Sequence, residues 1–516
     1  MNWRAFTDEA FREGRPVLLL LTTRTSHACH LLDVEALDDP EVAAALEDRF
    51  VPVRVDADDR PDIDARYQPA AIPSYPLACV IAPEGTLLGR TPHLTGSRLG
   101  ALLAGATGEA PSDPVPSDAP VDPAAQLARL RASFRLPFGG YSPPPKHPHA
   151  PLLDLLLTVS DAGALHTLDA ISRGGLHDQL AGGFHRYSTD DKWIVPHFEK
   201  RAADQAALLV TYLDAYRRTG EARYREVALG IVRFVAARLA DPAGGWFAAE
   251  DADIGAYDDG SHYTFTVDEA RAALPDPDVF AVAQRTWDIF GRGELHSDPT
   301  RNVLFLTAAP ADVAAELRRS EPEVAALLER AKAGLLAARA ARPQPPIDTA
   351  KHVSTNAHLC RAHLDAATTL GLPACREVAL TALAALYRTP PRPLLDDHAQ
   401  LGLAALAAHT ATGDSAHRAV AVERCEQLLA DYWDETAQAF CDRPRGAPGP
   451  AALARPLHPV RDGAAQSGNA LAGQLLGALG DTDRARALAR ALLPRAAAEG
   501  ASGAGLIQLA LTASDT

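Results

Sequence analysis

The 516-residue chain has no C-x-x-C pair: its cysteines, Cys29, Cys79, Cys360, Cys375, Cys425 and Cys441, are scattered without framework spacing. Structural disulfides and thiolate zinc sites are therefore not expected. There is no surplus of positive charge either. Lys+Arg 50 against Asp+Glu 66 gives a formal net charge of -16, which argues against a surface that tracks phosphates, so no nucleic-acid partner is expected. No apolar run approaches the length of a bilayer span, and the opening M-N-W-R-A-F-T-D-E-A carries early acids and no hydrophobic signal core. The expectation is a cytoplasmic protein with no membrane partner. No motif calls for a cofactor. What is present is ordinary for a globular chain, 47% hydrophobic and 22% charged, and long enough that one core would not serve it all.

The first hundred residues alternate in character. Trp3 to Glu13 has helical periodicity, Val17 to Leu21 is a short apolar run suited to a buried strand, and Pro40 to Asp48 is helical again before Val51 to Val55. Leu77 to Ile81 and Thr86 to Leu88, separated by Pro83-Glu84-Gly85, read as a hairpin. This βαβ-then-hairpin order predicts a thioredoxin-like α/β domain over residues 1–108, closed by a helix near Ser97 to Leu103. Pro76 is its candidate cis-proline, with Pro73 competing for the role.

The segment A-P-S-D-P-V-P-S-D-A-P-V-D-P, within a linker at 109–124, is too rich in proline for helix or sheet and reads as a semi-rigid spacer between domains. Residues 125–516 are nearly all helical. Helices end on Gly220, Gly371, Gly413 and Gly480, and the next begins within a few residues, the pattern of antiparallel αα-hairpins. A solenoid or a closed α/α toroid would both repeat such hairpins. The long inserts Gly174 to Pro196 and Gly244 to Thr266 favour the toroid and would crowd one mouth of it.

Several segments together resemble a known family. V-R-V-D-A-D-D-R-P-D-I-D (Val53 to Asp64), G-G-Y-S-P-P-P-K-H-P (Gly139 to Pro148), G-G-F-H-R-Y-S (Gly182 to Ser188), V-P-H-F-E-K (Val195 to Lys200), E-D-A-D (Glu250 to Asp253) and D-G-A-A-Q-S-G-N (Asp462 to Asn469) are similar to the spermatogenesis-associated thioredoxin-domain family. The resemblance implies a thioredoxin-like domain followed by an all-α (α/α)6 toroid of six-hairpin-glycosidase type, a barrel similar to those of sugar epimerases and some glycosidases. This chain departs from the family at Ser26-His27-Ala28-Cys29-His30, where the family has Cys-His-Trp-Cys-His. Dithiol exchange needs an attacking and a resolving thiol. Cys29 alone is a monothiol redox candidate, its pKa expected to be lowered at a helix start beside His27 and His30. The other reading is a redox-dead docking module that offers a surface to a protein partner. Arg201-Ala202-Ala203 and Thr355-Asn356 also depart, replacing bulkier apolar and aromatic residues.

The candidate chemistry lies between Gly174 and Asp253. With Pro196 in the first turn of a helix, His197, Arg201, Asp204 and Leu208 share one face. Glu199 joins His197 only if the chain is still extended there. Lys200, four residues before Asp204, offers an idle intrahelical ion pair instead. Glu250, Asp251 and Asp253 cluster as an acid–base pair would. They lack the further ligands of an EF-hand, so no metal is expected, and helix capping is the plainer use. The candidate catalytic residues are His197, Glu199, Asp204 and Asp251. His177, Asp178, His185 and Arg186 sit in a glycine-rich insert that permits close backbone approach to a ligand. With Tyr187 and Trp193 as stacking faces, and Glu250 and Asp253, they are the candidate ligand-binding set; glycine turns, a core aromatic and satisfied buried polar groups are the bland alternative. Asp396-Asp397-His398 and Asp462 either line the same mouth or cap helices. Two function classes follow: an epimerase, isomerase or hydrolase acting on a small molecule such as a carbohydrate, or a non-catalytic binding or regulatory scaffold.

Overall fold

The computed structural model describes residues 2–38, 40–68, 75–92, 99, 121–255, 257–258 and 260–514. Its contacts group into two compact units, one of residues 1–127, 352–361 and 382–516, the other of 128–351 and 362–381.

The N-terminal sheet is built from β1 (Val17–Thr22), β2 (Val51–Asp56), β3 (Leu77–Ile81) and β4 (Leu87–Thr91) in the order β2-β1-β3-β4. β1 runs parallel to β2 and antiparallel to β3, which turns antiparallel into β4. The expected thioredoxin-like topology is therefore present. β1 is apolar at every position but its last because it is central and covered on both faces. Val17, Leu19 and Leu21 face Phe6, Phe11, Ile63 and Tyr67, while Leu18 and Leu20 face Leu32, Leu46 and Phe50. Each such side chain contributes roughly 1.5–3 kcal/mol by burial. Ala452 and Leu453 complete the first of these layers. The first helix starts at Asp8 rather than at Trp3, because Arg4 is held extended by bridging to Val53. The Tyr75–Pro76 bond is cis. Pro73, the helix expected near Ser97 to Leu103 apart from Leu99, and most of the proline-rich stretch lie outside the described residues.

Most of the remaining described residues are helical, and several helices form antiparallel pairs, as expected of an α/α-hairpin fold. Ala202–Thr219 turns at Gly220 into Ala222–Phe234, and Leu395–Thr412 turns at Gly413 into Ser415–Asp431. Both glycines take a left-handed conformation (φ 71° and 73°) that a side chain would strain. Gly371 and Gly480 end Val353–Thr369 and Gly468–Leu479 in the same way. Among the described residues, no helix is long and apolar enough to cross a membrane.

Candidate functional site

The segment from Pro196 to Arg201 is not helical. Tyr187–Ser188 pairs antiparallel with Pro196–His197, and Lys200–Arg201 pairs with Ala249–Glu250, which pairs in turn with Ile347–Asp348. The helix starts only at Ala202, so the helical face through His197, Arg201, Asp204 and Leu208 is corrected. Backbone bonds cause this: Arg186 N–H donates to the Glu199 carbonyl at 2.9 Å and Ala202 N–H to that of Ala248 at 2.8 Å, tying the strand to its neighbours. In an extended chain alternate side chains point to opposite sides. His197, Glu199 and Arg201 therefore go one way, and Phe198 and Lys200 the other.

The second side is core. Phe198 is buried with Ala252, Tyr263, Leu295 and Val303. Lys200 is buried against Asp178, at 2.7 Å, and does not make the intrahelical pair with Asp204. Asp178 also accepts from both terminal nitrogens of Arg339 at 3.1 Å and from the backbone N–H groups of Leu180 and Ala181. Burial alone would raise the Asp178 carboxyl, but Arg339 and Lys200 overcome it and hold it well below the usual carboxylate range. Glu250 is buried, with the Tyr263 hydroxyl and the Arg238 guanidinium as partners. The His185 Nδ1 lies 2.8 Å from the Phe198 carbonyl, and burial pushes its pKa far down.

These residues form a buried core in which Asp178, His185 and Glu250, expected to bind a ligand, take protein partners. Trp193, expected as a stacking face, also lies in the interior. It is fully buried, its indole N–H donates to the Phe138 carbonyl at 2.9 Å, and Lys146 lies over its ring. The glycines of the insert do permit a close approach, but to a helix: a Cβ on Gly182 would meet the Gly230 carbonyl at 2.5 Å. The ring nitrogens of His177 are enclosed beside Phe184, and burial lowers its pKa to about 4.

The first side is different. His197 Nε2 stands 3.7 Å from Glu199 Oε2, which also accepts from Arg186 at 2.9 Å. The Tyr187 ring stacks on His197 (centroids 5.1 Å, 19° between planes) and meets His147 at 4.9 Å. Arg201 reaches Asp204 at 3.2 Å. His197, Arg186, Arg201 and Asp204 keep 11–16% of their side-chain surface exposed, whereas Glu199 has none. They form a largely buried polar cluster around one fully buried carboxylate. Burial, then His149, Arg186, Arg201 and His197, hold His147 well below the ordinary imidazole range. Sequence reasoning missed His147 and Lys146 as site-builders, although both stand in the G-G-Y-S-P-P-P-K-H-P segment. Lys146 is buried and donates to the Gly139 and Asp191 carbonyls at 2.6 and 2.8 Å, fixing the strand that carries His147.

Asp251 and Asp253 are buried, and Asp251 Oδ1 accepts from the Asp253 N–H at 3.2 Å, a turn-forming bond rather than a helix cap. Asp396, Asp397, His398 and Asp462 belong to the other unit. There Asp397 accepts from the Ser354 N–H and from Arg392. Asp462 accepts from the N–H groups of Ser467 and Gly505, both at 2.8 Å. Burial pushes the carboxyls of Asp396 and Asp462 up to about 7.

Cys29 lies inside the His27–Leu32 helix and is 1% exposed. Burial pushes its thiol up to about 11 against the hydrogen bonds from Thr23 and Ser26, so the expected lowering is corrected. All six cysteines are buried. The native chain is expected to react with none of its thiols while the urea-unfolded chain titrates all of them with a thiol reagent. A rapid equivalent that vanishes in Cys29→Ser would restore the monothiol reading.

Comparison with known proteins agrees with the resemblance read from the motifs. The family model Thioredox_DsbH, described as "Protein of unknown function, DUF255", matches residues 1–92. Spermatogenesis-associated protein 20 of Homo sapiens is 28% identical over 426 residues, covering 68% of this chain and 54% of that protein. Its Mus musculus counterpart is 27% identical over 425 residues, covering 67% and 53%. The chain thus spans about half the length of these curated relatives. Among solved structures, an uncharacterized conserved protein from Thermus thermophilus is 12% identical, with a TM-score of 0.40 over 76% of this chain and 99% of that one. A family 76 glycoside hydrolase from a bovine Bacteroides thetaiotaomicron strain is also 12% identical, with a TM-score of 0.34 over 59% and 52%. Likenesses of that size carry no information about substrate.

Proposed function

We propose that the polar cluster around His197 binds a sugar or sugar-like metabolite and moves a proton on it, as an epimerase or isomerase does. The observation that supports this is the facing pair of His197 Nε2 and Glu199 Oε2 at 3.7 Å, beside Arg186 and Arg201, with His197, Arg186 and Arg201 each keeping part of their side-chain surface exposed. An imidazole exchanges protons near neutral pH. In this reading His197 takes the proton from the carbon beside a carbonyl, the bonding electrons pass to the carbonyl oxygen, and the two arginines stabilise the resulting enediolate until the proton returns. Glu199 orients the imidazole and stabilises it while it carries the proton. Hydrolysis would need two disengaged carboxylates flanking a glycosidic bond. Glu250 and Asp178 are committed to buried partners, so the proton-transfer reading is preferred. The proline-rich stretch at 109–124 is proposed as the boundary between a thioredoxin-like domain and the helical domain. The former is proposed as a docking module rather than a redox enzyme.

The test is proton NMR of the protein with a panel of reducing sugars and disaccharides in deuterated water. Loss of the signal beside the carbonyl is expected with the wild type and not with His197→Ala. New anomeric signals would indicate hydrolysis instead, and a flat result across the panel would move the weight to a non-catalytic binding scaffold.

A further inference from the structure

A second group of chemically competent side chains lies far along the sequence, on the hairpin after Ser415–Asp431. Trp433–Asp434 pairs antiparallel with Ala439–Phe440, and the Cys441 N–H extends the pairing by donating to the Tyr432 carbonyl at 2.9 Å. Strand alternation sorts this hairpin into two faces. Trp433 and Phe440 meet edge to face, with centroids 5.0 Å apart, and both are buried. Asp434 and Cys441 project from the opposite face as a diagonal cross-strand pair.

His458, from the loop that follows, completes the group. Its Nε2 stands 3.1 Å from Asp434 Oδ2 and 3.9 Å from Cys441 Sγ, and the three atoms all lie within 4.8 Å of one another. One ring nitrogen thus faces both a carboxylate and a thiol. In a nucleophilic triad the acid and the thiol address different nitrogens of the ring. Around a shared ion, by contrast, all three donors converge. Zinc bond lengths of about 2.0–2.3 Å place tetrahedral ligands about 3.3–3.6 Å apart; the two histidine separations, 3.1 and 3.9 Å, bracket that range, and the third lies within 4.8 Å.

The backbone under the three ligands is fixed. Asn469 accepts from the Phe440 N–H at 2.8 Å and donates to the carbonyls of Phe440 and Pro459, both at 3.0 Å, so one amide clamps the strand before Cys441 to the loop after His458. Arg495 donates to the His458 carbonyl at 3.0 Å. Asp434 Oδ1 is taken up by the N–H groups of Thr436 and Ala437 at 3.0 and 3.2 Å, which leaves Oδ2 aimed at the histidine. Cys441 is 2% exposed, whereas the side chains of His458 and Asp434 are 16% and 26% exposed, an entry for an ion from solvent.

The geometry points to a binding site for a borderline-soft divalent cation of the zinc type, held by Cys441, His458 and Asp434, with a fourth position open to water or another ligand. Sulfur, imidazole and carboxylate donors together suit Zn2+ and its spectroscopic substitute Co2+ and disfavour Ca2+ or Mg2+. Binding would release the thiol proton as the thiolate takes the metal. The site would brace the hairpin against the loop, and it is independent of the reading of the His197 cluster.

The experiment titrates the purified, metal-stripped full chain with Co2+. One equivalent is expected to produce a near-ultraviolet thiolate-to-cobalt charge-transfer band with visible absorption of a tetrahedral ion, both erased by Zn2+. Cys441→Ser is expected to abolish the charge-transfer band, while Cys425→Ser, another buried cysteine, leaves it intact. Asp434→Asn keeps the thiol and is expected to weaken cobalt binding by at least about tenfold with circular dichroism unchanged. It therefore serves if Cys441→Ser misfolds. No cobalt spectrum in the wild-type chain, or a band equally strong in Cys441→Ser or unchanged in affinity in Asp434→Asn, overturns the site and leaves Asp434 and His458 as a hydrogen-bonded pair only.

Discussion

Asp178→Ala is expected to lower the unfolding free energy by about 3–5 kcal/mol, the cost of leaving buried charge without its counterion. Asp178 serves two cations at once, Lys200 at 2.7 Å and Arg339 at 3.1 Å, and all three are buried. Its removal strands both beneath the strand that carries His197 and Glu199. Urea unfolding followed by circular dichroism measures the change. A loss under about 1 kcal/mol, the size expected of an exposed pair, would show that the cations find other partners. The same carboxylate imposes a pH dependence. Its folded pKa is depressed, so its contribution is fully present above the unfolded value of 3.8 and is lost as pH falls below that value towards the folded one. The difference between wild type and Asp178→Ala should therefore be constant near neutrality and shrink only in acid.

Glu199→Gln is expected to cut turnover by up to about 100- to 10,000-fold, the contribution of a proton-transferring group such as His197 that would be lost with its orientation, once a substrate has been found. The substitution preserves shape while removing the charge that faces both His197 and Arg186. A merely structural role would show as lost stability with turnover largely retained in the folded fraction. A positioning role predicts lower kcat, little change in KM and an altered limb of the pH profile attributable to His197. Glu199→Asp, which keeps the charge on a shorter arm, should recover part of the rate. Equal turnover in Glu199→Gln and wild type would remove Glu199 from the mechanism.

Two departures from the expected geometry around His197 share a cause. Pro196 is a good first-turn residue and the helix Ala202–Thr219 follows closely, so local preference favours starting the helix early. The strand wins because partners from distant segments, Ala248 to Glu250 and Ile347 to Asp348, supply the backbone bonds. With the strand comes the alternation that turns Glu199 towards His197 and Lys200 into the core. The Lys200–Asp204 pair failed for the same reason, since Lys200 is not on the helix. Trp193, Glu250 and Asp178 were legible as unusual residues in an unusual segment. Nothing local distinguishes an aromatic or an acid that faces a ligand from one that faces the core.

The sequence by itself determined the strand order of the N-terminal domain, its thioredoxin-like class and the turn positions of the helix pairs. Each of these depends on short-range physics: an apolar run long enough for a strand covered on both faces, and a glycine where a helix must end left-handed. It also determined that Cys29 has no second thiol in C-x-x-C spacing, because residue 26 is a serine. Only the tertiary structure decided which charged residues are used up in the interior, because the partners lie far apart in the chain, as Arg339 lies 161 residues beyond Asp178. It also decided that Cys29 is a buried thiol, and that Cys441 meets His458 and Asp434 across a hairpin and a loop. Burial and charge pairing are properties of what surrounds a side chain, and in this protein those surroundings are assembled from segments that no local pattern links.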